Sequence, residues 1–199
     1  MTSSFTLPGD EALYDAEGGR KYICAIEHRR FLDAANRAEP ATRAFCRLLA
    51  FTGCRISEAL SLTPARLDDG TQRVIFLTLK RRKRVFRSVP IPRALMSELH
   101  GLCAGHAPDA PLWSWTRQTA WRHVKAAMAM AGIAGSQATP KGLRHGFGVA
   151  NAEHNVPPAL TRRWMGHASL ETTAIYQQVM GREELAFARR IWKHDGRER

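Results

Sequence analysis

The sequence predicts a mainly α-helical protein with one small antiparallel β-sheet or hairpin, an α+β domain, and three observations carry that prediction. Apolar residues recur at helical spacing through most of the chain. One stretch, Val74 to Ile91, departs from that period with two β-branched, apolar runs around a basic pentapeptide. Prolines stand where helices would open (Pro92, Pro140, Pro157–Pro158) and glycines where they would end (Gly53, Gly132, Gly166).

Taken in order, residues 1–20 are polar and glycine-bearing and read as a tail or linker, with one domain over 21–199. Ile26, Phe31, Leu32 and Ala35 predict a helix from Ile26 to Ala38. Pro40 interrupts it, and Phe45, Leu48, Leu49 and Phe51 make the apolar face of a second helix that Gly53 stops. A short helix carries Ile56, Ala59, Leu60 and Leu62 up to Pro64. Val74–Leu79 and Val85–Ile91 are the two extended segments, and Lys80-Arg81-Arg82-Lys83-Arg84 is a basic tip between them. Pro92 opens a helix to about Cys103, and a loop rich in Gly, Pro and Asp follows from Gly105 to Pro111. Thr116 or Thr119 caps a helix carrying Trp121, Val124 and Met128. Thr139-Pro140 begins a helix that runs to about His154, and Pro157-Pro158 begins another. Ser169 caps the segment holding Tyr176, and Glu183–Trp192 is a last amphipathic stretch. Trp113, Trp115 and Trp121 read as core residues.

The charge balance is lopsided, with 30 Lys+Arg against 18 Asp+Glu and a formal net charge of +12. That excess favours a polyanionic partner, nucleic acid before an anionic membrane surface. Cys24, Cys46, Cys54 and Cys103 lack paired spacing and histidines at ligand distance, so they read as packing thiols of a reduced, cytoplasmic protein. The N-terminus has no basic start followed by an apolar run, and no stretch is long and apolar enough to span a membrane.

Three short segments bear chemistry: TGCRISEAL around Arg55, PKGLRHGF around Arg144, and GHASLETTAIY from His167 to Tyr176. Phosphoryl transfer builds negative charge on non-bridging oxygens, which must meet positive groups. Asp68-Asp69 reads as a solvated turn, and no carboxylate cluster offers itself for metal. Guanidinium groups can take that place, being always charged and presenting a planar fork of donors. Alone, Arg55 or Arg144 reads as an exposed helix arginine. Tyr176 alone reads as a core aromatic, and His167 as a helix cap.

In this order and at about these separations, the four residues resemble the catalytic domain of the tyrosine recombinase (phage integrase) family, over about Glu27 to Trp192. The resemblance implies that fold, and a site-specific recombinase that cleaves and rejoins double-stranded DNA through a 3′-phosphotyrosine, without metal, nucleotide or other cofactor. It implies that Arg55 and Arg144 grip the scissile phosphate, that His167 donates to it, and that Tyr176 attacks phosphorus. It also implies a hairpin lysine as general acid. Lys80, at the end of the first strand, matches best and Lys83 is the competitor, while Arg81, Arg82, Lys83 and Arg84 grip phosphates around them. A homotetramer on synapsed DNA, monomeric without it, is the implied assembly.

One departure stands out. Where the family usually has histidine, three residues before the second arginine, this chain has Lys141, a catalytic candidate that shares a helix face with Arg144 and can still reach the phosphate. Which group takes the tyrosine proton is therefore open. Glu58 reads as a buttress for Arg55, and His145 as a packed or capping residue sooner than a catalyst. Trp164 reads as either a pocket wall or core. The N-terminal helical domain that such proteins commonly carry is not expected in this chain. A type IB topoisomerase-like enzyme is an alternative within the same chemistry. A DNA-binding regulator of the same fold without cleavage is the alternative from another class.

Overall fold

The protein is described by a computed structural model covering residues 13–78, 85–178 and 188–192. Helices α1 (Ala25–Asn36), α2 (Pro40–Thr52) and the short α3 (Ile56–Leu60) come first. A three-stranded sheet follows, with β1 (Leu67–Asp68), β2 (Arg73–Thr78) and β3 (Val85–Pro90). Next come α4 (Arg93–Leu102), α5 (Arg117–Met130), α6 (Pro140–Glu153), α7 (Pro158–Met165) and α8 (Glu171–Ala174), which passes into a 3-10 turn at Ile175–Gln178. Among the described residues no helix is long and apolar enough to cross a membrane.

Helix α2 is the hub, because its sequence is apolar around most of its surface. Phe45, Cys46, Leu48 and Leu49 are fully buried, and the helix packs against α1, α4, α5 and α6. Trp113 stands edge-on to Phe45 at 5.1 Å and donates its indole N–H to the Ala41 carbonyl at 3.0 Å. The four cysteines are free thiols, Cys46 and Cys54 within the core, as their spacing predicts. Gly53 ends α2 in the left-handed region (φ 58°), where a side chain would be strained. A Cβ there would also meet the Phe147 ring.

The sheet is antiparallel in the order β1-β2-β3, with Val74 opposite Val89 and Phe76 opposite Arg87. The β1 strand pairs Leu67 with Val74 and extends the predicted hairpin to three strands; two residues are too few for the sequence to announce. Asp68, the last residue of β1, accepts from the amide and hydroxyl of Thr71, and the chain turns from Asp69 onward, next to where the sequence reads a turn. The α1 helix begins at Ala25 and ends at Asn36, short of Ala38.

A second, smaller apolar cluster joins Leu13, Val149, Met165, Ile175 and Tyr176. Leu13 belongs to the stretch read as a tail. Residues 13–20 fold back on themselves through a Tyr14–Arg20 bridge, and Leu13 packs into this cluster.

Candidate active site

The turn between α2 and α3 presents Arg55. Its amide donates to Glu58 Oε2 at 2.8 Å, the reciprocal half of a helix-capping arrangement, and its Nη1 donates to Glu58 Oε1 at 3.2 Å. The same carboxylate receives both terminal nitrogens of Arg87, at 2.9 and 2.7 Å. Burial would raise the Glu58 pKa, but hydrogen bonds and charge from Arg87, with Arg55 behind them, hold it below the usual carboxylate range. Glu58 is thus the buttress the sequence suggests.

Sequence reasoning missed Arg87. It points inward from β3 on the same face as Val89, donates Nε to the Trp164 carbonyl at 2.8 Å, and lies 5.1 Å over the Phe76 ring. A charged residue on the buried phase of a strand was the available signal. Trp164 itself packs on the main core beside Phe147, the core alternative of its two readings.

Helix α6 starts at a Thr139 cap, whose hydroxyl accepts from the Gly142 amide at 3.0 Å. A Cβ on Gly142 would collide with the Gln137 carbonyl, so this first turn needs glycine. Arg144 is buried and donates to the carbonyls of Gly53 (2.6 Å) and Met165 (2.8 Å). Both carbonyls close helices, α2 and α7, and would otherwise lack partners at the negative end of a helix dipole. Burial first, and the charge of Arg55 second, lower the Arg144 pKa to about 10, so it stays protonated at neutral pH. Two of its five N–H donors are spent on carbonyls and three remain.

Gly166 ends α7 in the left-handed region (φ 65°), and a Cβ there would sit 3.0 Å from the Arg87 guanidinium. The chain then turns to His167, whose Nδ1 lies 2.9 Å from the Thr173 hydroxyl. Burial first, then Arg144 and Arg55, press its pKa down to about 3, so the ring is neutral over most of the pH range. Its ring stacks on Tyr176 with centroids 6.0 Å apart and planes 20° from parallel. The Tyr176 ring lies on α6 over Gly148, where a Cβ would meet it at 2.5 Å. Its hydroxyl is 3.1 Å from His145 Nδ1.

These residues share one open cavity of about 550 Å³, whose wall includes Arg55, Lys141, Arg144, His145, His167 and Tyr176. Five of the six predicted catalytic residues are therefore together. The sixth, Lys80, lies outside the described residues, as do Arg81, Arg82, Lys83 and Arg84. The described strand β2 stops at Thr78, whose hydroxyl takes a 3.3 Å bond from Arg87. Trp121, expected in the core, is 44% exposed and stands on the cavity rim near Arg117. Of the last segment, residues 188–192 are helical, with Ile191 and Trp192 exposed, and the rest lies outside the described residues.

The wall carries net positive charge. Arg55, Arg117, Lys141 and Arg144 line it, Arg144 held by carbonyls, while Arg87 lies behind Arg55 and shares with it the carboxylate of Glu58. Among the described residues no His, Cys, Asp and Glu side chains gather in threes to hold a metal ion. The cavity can therefore seat an anion, and it keeps a phenol hydroxyl beside that seat.

Known proteins resemble this chain in sequence and in fold. Over 170 residues the chain is 29% identical to the tyrosine recombinase XerA of Pyrococcus furiosus, covering 80% of this chain and 57% of that one. Over 156 residues it is 33% identical to a tyrosine recombinase XerD of Xanthomonas campestris, covering 69% and 47%. The chain thus spans about half the length of these relatives. Among solved structures, the XerH site-specific recombinase bound to a palindromic difH substrate superposes with a TM-score of 0.75 at 22% identity, over 87% of this chain and 53% of that one. The catalytic domain of bacteriophage HP1 integrase superposes with a TM-score of 0.63 at 21% identity, over 80% and 88%. At these identities the likeness is one of fold. Residues 21–182 match the phage integrase family, and the chain belongs to that family of tyrosine recombinases, whose catalytic-domain fold it has.

Proposed function

We propose that this chain cleaves and rejoins double-stranded DNA as the catalytic part of a site-specific recombinase. The observation that carries this reading is the tyrosine hydroxyl set beside an arginine-lined seat for an anion. A scissile phosphate in the cavity takes charge-assisted hydrogen bonds from Arg55 and from the remaining donors of Arg144. His167 is neutral, and with the Thr173 hydroxyl donating to Nδ1 it keeps its proton on Nε2, as a donor to the same phosphate. The Tyr176 oxygen attacks phosphorus, forming the 3′-phosphotyrosine bond as the bond to the 5′ oxygen breaks. Lys80 supplies the proton that the leaving oxygen takes. Rejoining reverses the sequence with a 5′-hydroxyl from the exchanged strand, so the bond energy is conserved and no nucleotide is consumed. The guanidinium groups provide the charge that metal ions supply in many nucleases.

Support for DNA as partner comes from the net charge of +12 and from relatives whose structures hold DNA. A homotetramer on two duplexes, with the segment beyond Tyr176 bridging subunits, is the assembly this reading entails.

The test is a nicked duplex whose cleavage releases a short fragment, so that religation fails. A denaturation-resistant protein–DNA adduct should accumulate in excess chelator and without nucleotide, and Tyr176→Phe should abolish it while leaving DNA binding unchanged. A strict need for divalent ions, or an adduct on the Phe variant, would refute the mechanism. Binding without any adduct would favour the non-cleaving regulator, and relaxation of supercoiled DNA without strand exchange would favour the topoisomerase-like alternative.

A further inference from the structure

The sequence leaves open which group takes the proton from Tyr176, and we infer that it is His145, through Nδ1. This rests on the recombinase reading and adds a residue to its chemistry. The hydroxyl of Tyr176 and His145 Nδ1 are 3.1 Å apart, a hydrogen-bond distance, and both residues are almost wholly buried, at 2% and 6% exposure. General-base catalysis needs this geometry before anything else.

The pairing is built into α6. His145, Gly148 and Val149 fall on one face of the helix at i, i+3 and i+4 spacing. Gly148 lets the tyrosine ring lie against the helix backbone, and Val149 shares its apolar cluster. That places the ring with its hydroxyl one helical turn back, at His145. Lys141 stands one further turn toward the helix start, exposed at the cavity wall.

His145 sits among positive groups. Lys141 and Arg144 precede it on α6, Arg55 comes from the α3 start and Arg117 from α5; the neutral His167 and Cys54 lie on the same wall, and Glu58 and Arg87 stand behind Arg55. An imidazolium formed among these cations is disfavoured until an anion enters. A bound phosphate supplies that charge, so proton transfer from phenol to His145 becomes favourable only when DNA is in place. In the step itself the Tyr176 O–H proton moves to Nδ1, the ring's other proton stays on Nε2, and the oxygen's electron pair forms the bond to phosphorus. On rejoining, the imidazolium returns the proton to the departing phenolate.

The test is single-turnover cleavage of the nicked duplex by the full chain, from about pH 5 to about pH 9, with His145→Asn, His145→Gln and Lys141→Gln. Asparagine keeps a polar atom near Nδ1 and preserves the buried contact but takes no proton, and the glutamine variant covers the case in which asparagine fails to fold. His145→Asn should cleave roughly 100-fold more slowly at neutral pH, with DNA affinity unchanged, and should lose the rise of rate with pH that deprotonation of a base imposes. The Lys141→Gln variant should keep that rise. Cleavage by both His145 variants within about threefold of wild type overturns the assignment. So does a slower variant that retains the wild-type pH profile, since that is the signature of positioning alone. Rapid cleavage by a His145 variant leaves the recombinase reading standing, whereas a wild-type protein that never forms the adduct sinks both.

Discussion

Arg87 reaches out of β3 to clasp Glu58 with both terminal nitrogens, at 2.9 and 2.7 Å, with the two side chains 4% and 1% exposed. The pair ties the sheet to the helix start that presents Arg55. It also occupies the carboxylate that would otherwise fully neutralise Arg55, and so leaves the wall cationic. Arg87 is linked in turn to the Trp164 carbonyl, two residues before the turn into His167. One ion pair therefore sets the relative position of two segments that contact the proposed phosphate.

Replacing Glu58 by Gln should destabilise the protein by about 3–5 kcal/mol, because Arg87 would keep its buried charge without a counter-ion. Equilibrium unfolding in urea measures this. The wild-type Glu58 pKa is held below its ordinary 4.5, so the pair's contribution is fully present above that value and is lost as pH falls through the lower folded-state value. In the Gln variant that acid-dependent loss should shrink. An unchanged midpoint would show that the pair contributes little.

His167 predicts a second, higher window. The unfolded chain binds a proton as pH falls below 6.5, while the folded ring resists it down to about 3. Stability in the absence of DNA should therefore decline from about pH 6.5 downward. His167→Asn should flatten that decline between pH 7 and pH 5, as read from urea midpoints at each pH. Parallel curves for the two proteins would disprove it.

Gly148→Ala puts a methyl group 2.5 Å from the Tyr176 ring carbons. The ring must shift, at a cost of roughly 1–3 kcal/mol for overpacking. Because the displaced group is the proposed nucleophile, adduct formation should fall at least about tenfold, with DNA affinity unchanged. Normal single-turnover cleavage by the alanine variant would mean that the tyrosine leaves this seat before it reacts.

Lys80 and Lys83 can be separated by chemistry. Loss of the general acid should slow cleavage by about 100-fold or more, and a 5′-bridging sulfur, which departs without protonation, should restore it. Rescue is expected for the Lys80 variant. Rescue of the Lys83 variant instead would reassign the acid.

The helices were legible because each has a local signature. The run Phe45, Leu48, Leu49 gives α2 its apolar face, and Gly53 and Gly166 mark ends that need positive φ. Arg55, Arg144, His167 and Tyr176 were legible as an ordered set, and the structure does bring them to one cavity. What escaped depends on partners far along the chain. The role of Arg87 exists only through Glu58, 29 positions earlier, and His145 meets Tyr176 across 31. Trp121 looked like core because tryptophan usually buries its area, yet its side of α5 faces the cavity rim. The docking of Leu13 could not be read from a polar stretch holding one suitably placed apolar residue.

Tyr176 and Arg55 are held by different parts of the interior. Arg55 follows α2, the centre of the large cluster, Arg144 bridges the two clusters through the carbonyls of Gly53 and Met165, and the tyrosine is seated among Leu13, Val149, Met165 and Ile175. A patch of five side chains, drawn partly from both flanks of the chain, opens at a smaller free energy than a core of many. Amide protons around Ile175 and Tyr176 should therefore exchange with solvent through sub-global openings that leave α2 protected. The proposed nucleophile thus rests on the smaller of two supports, and Arg55 beside it should keep its place while that support opens and recloses.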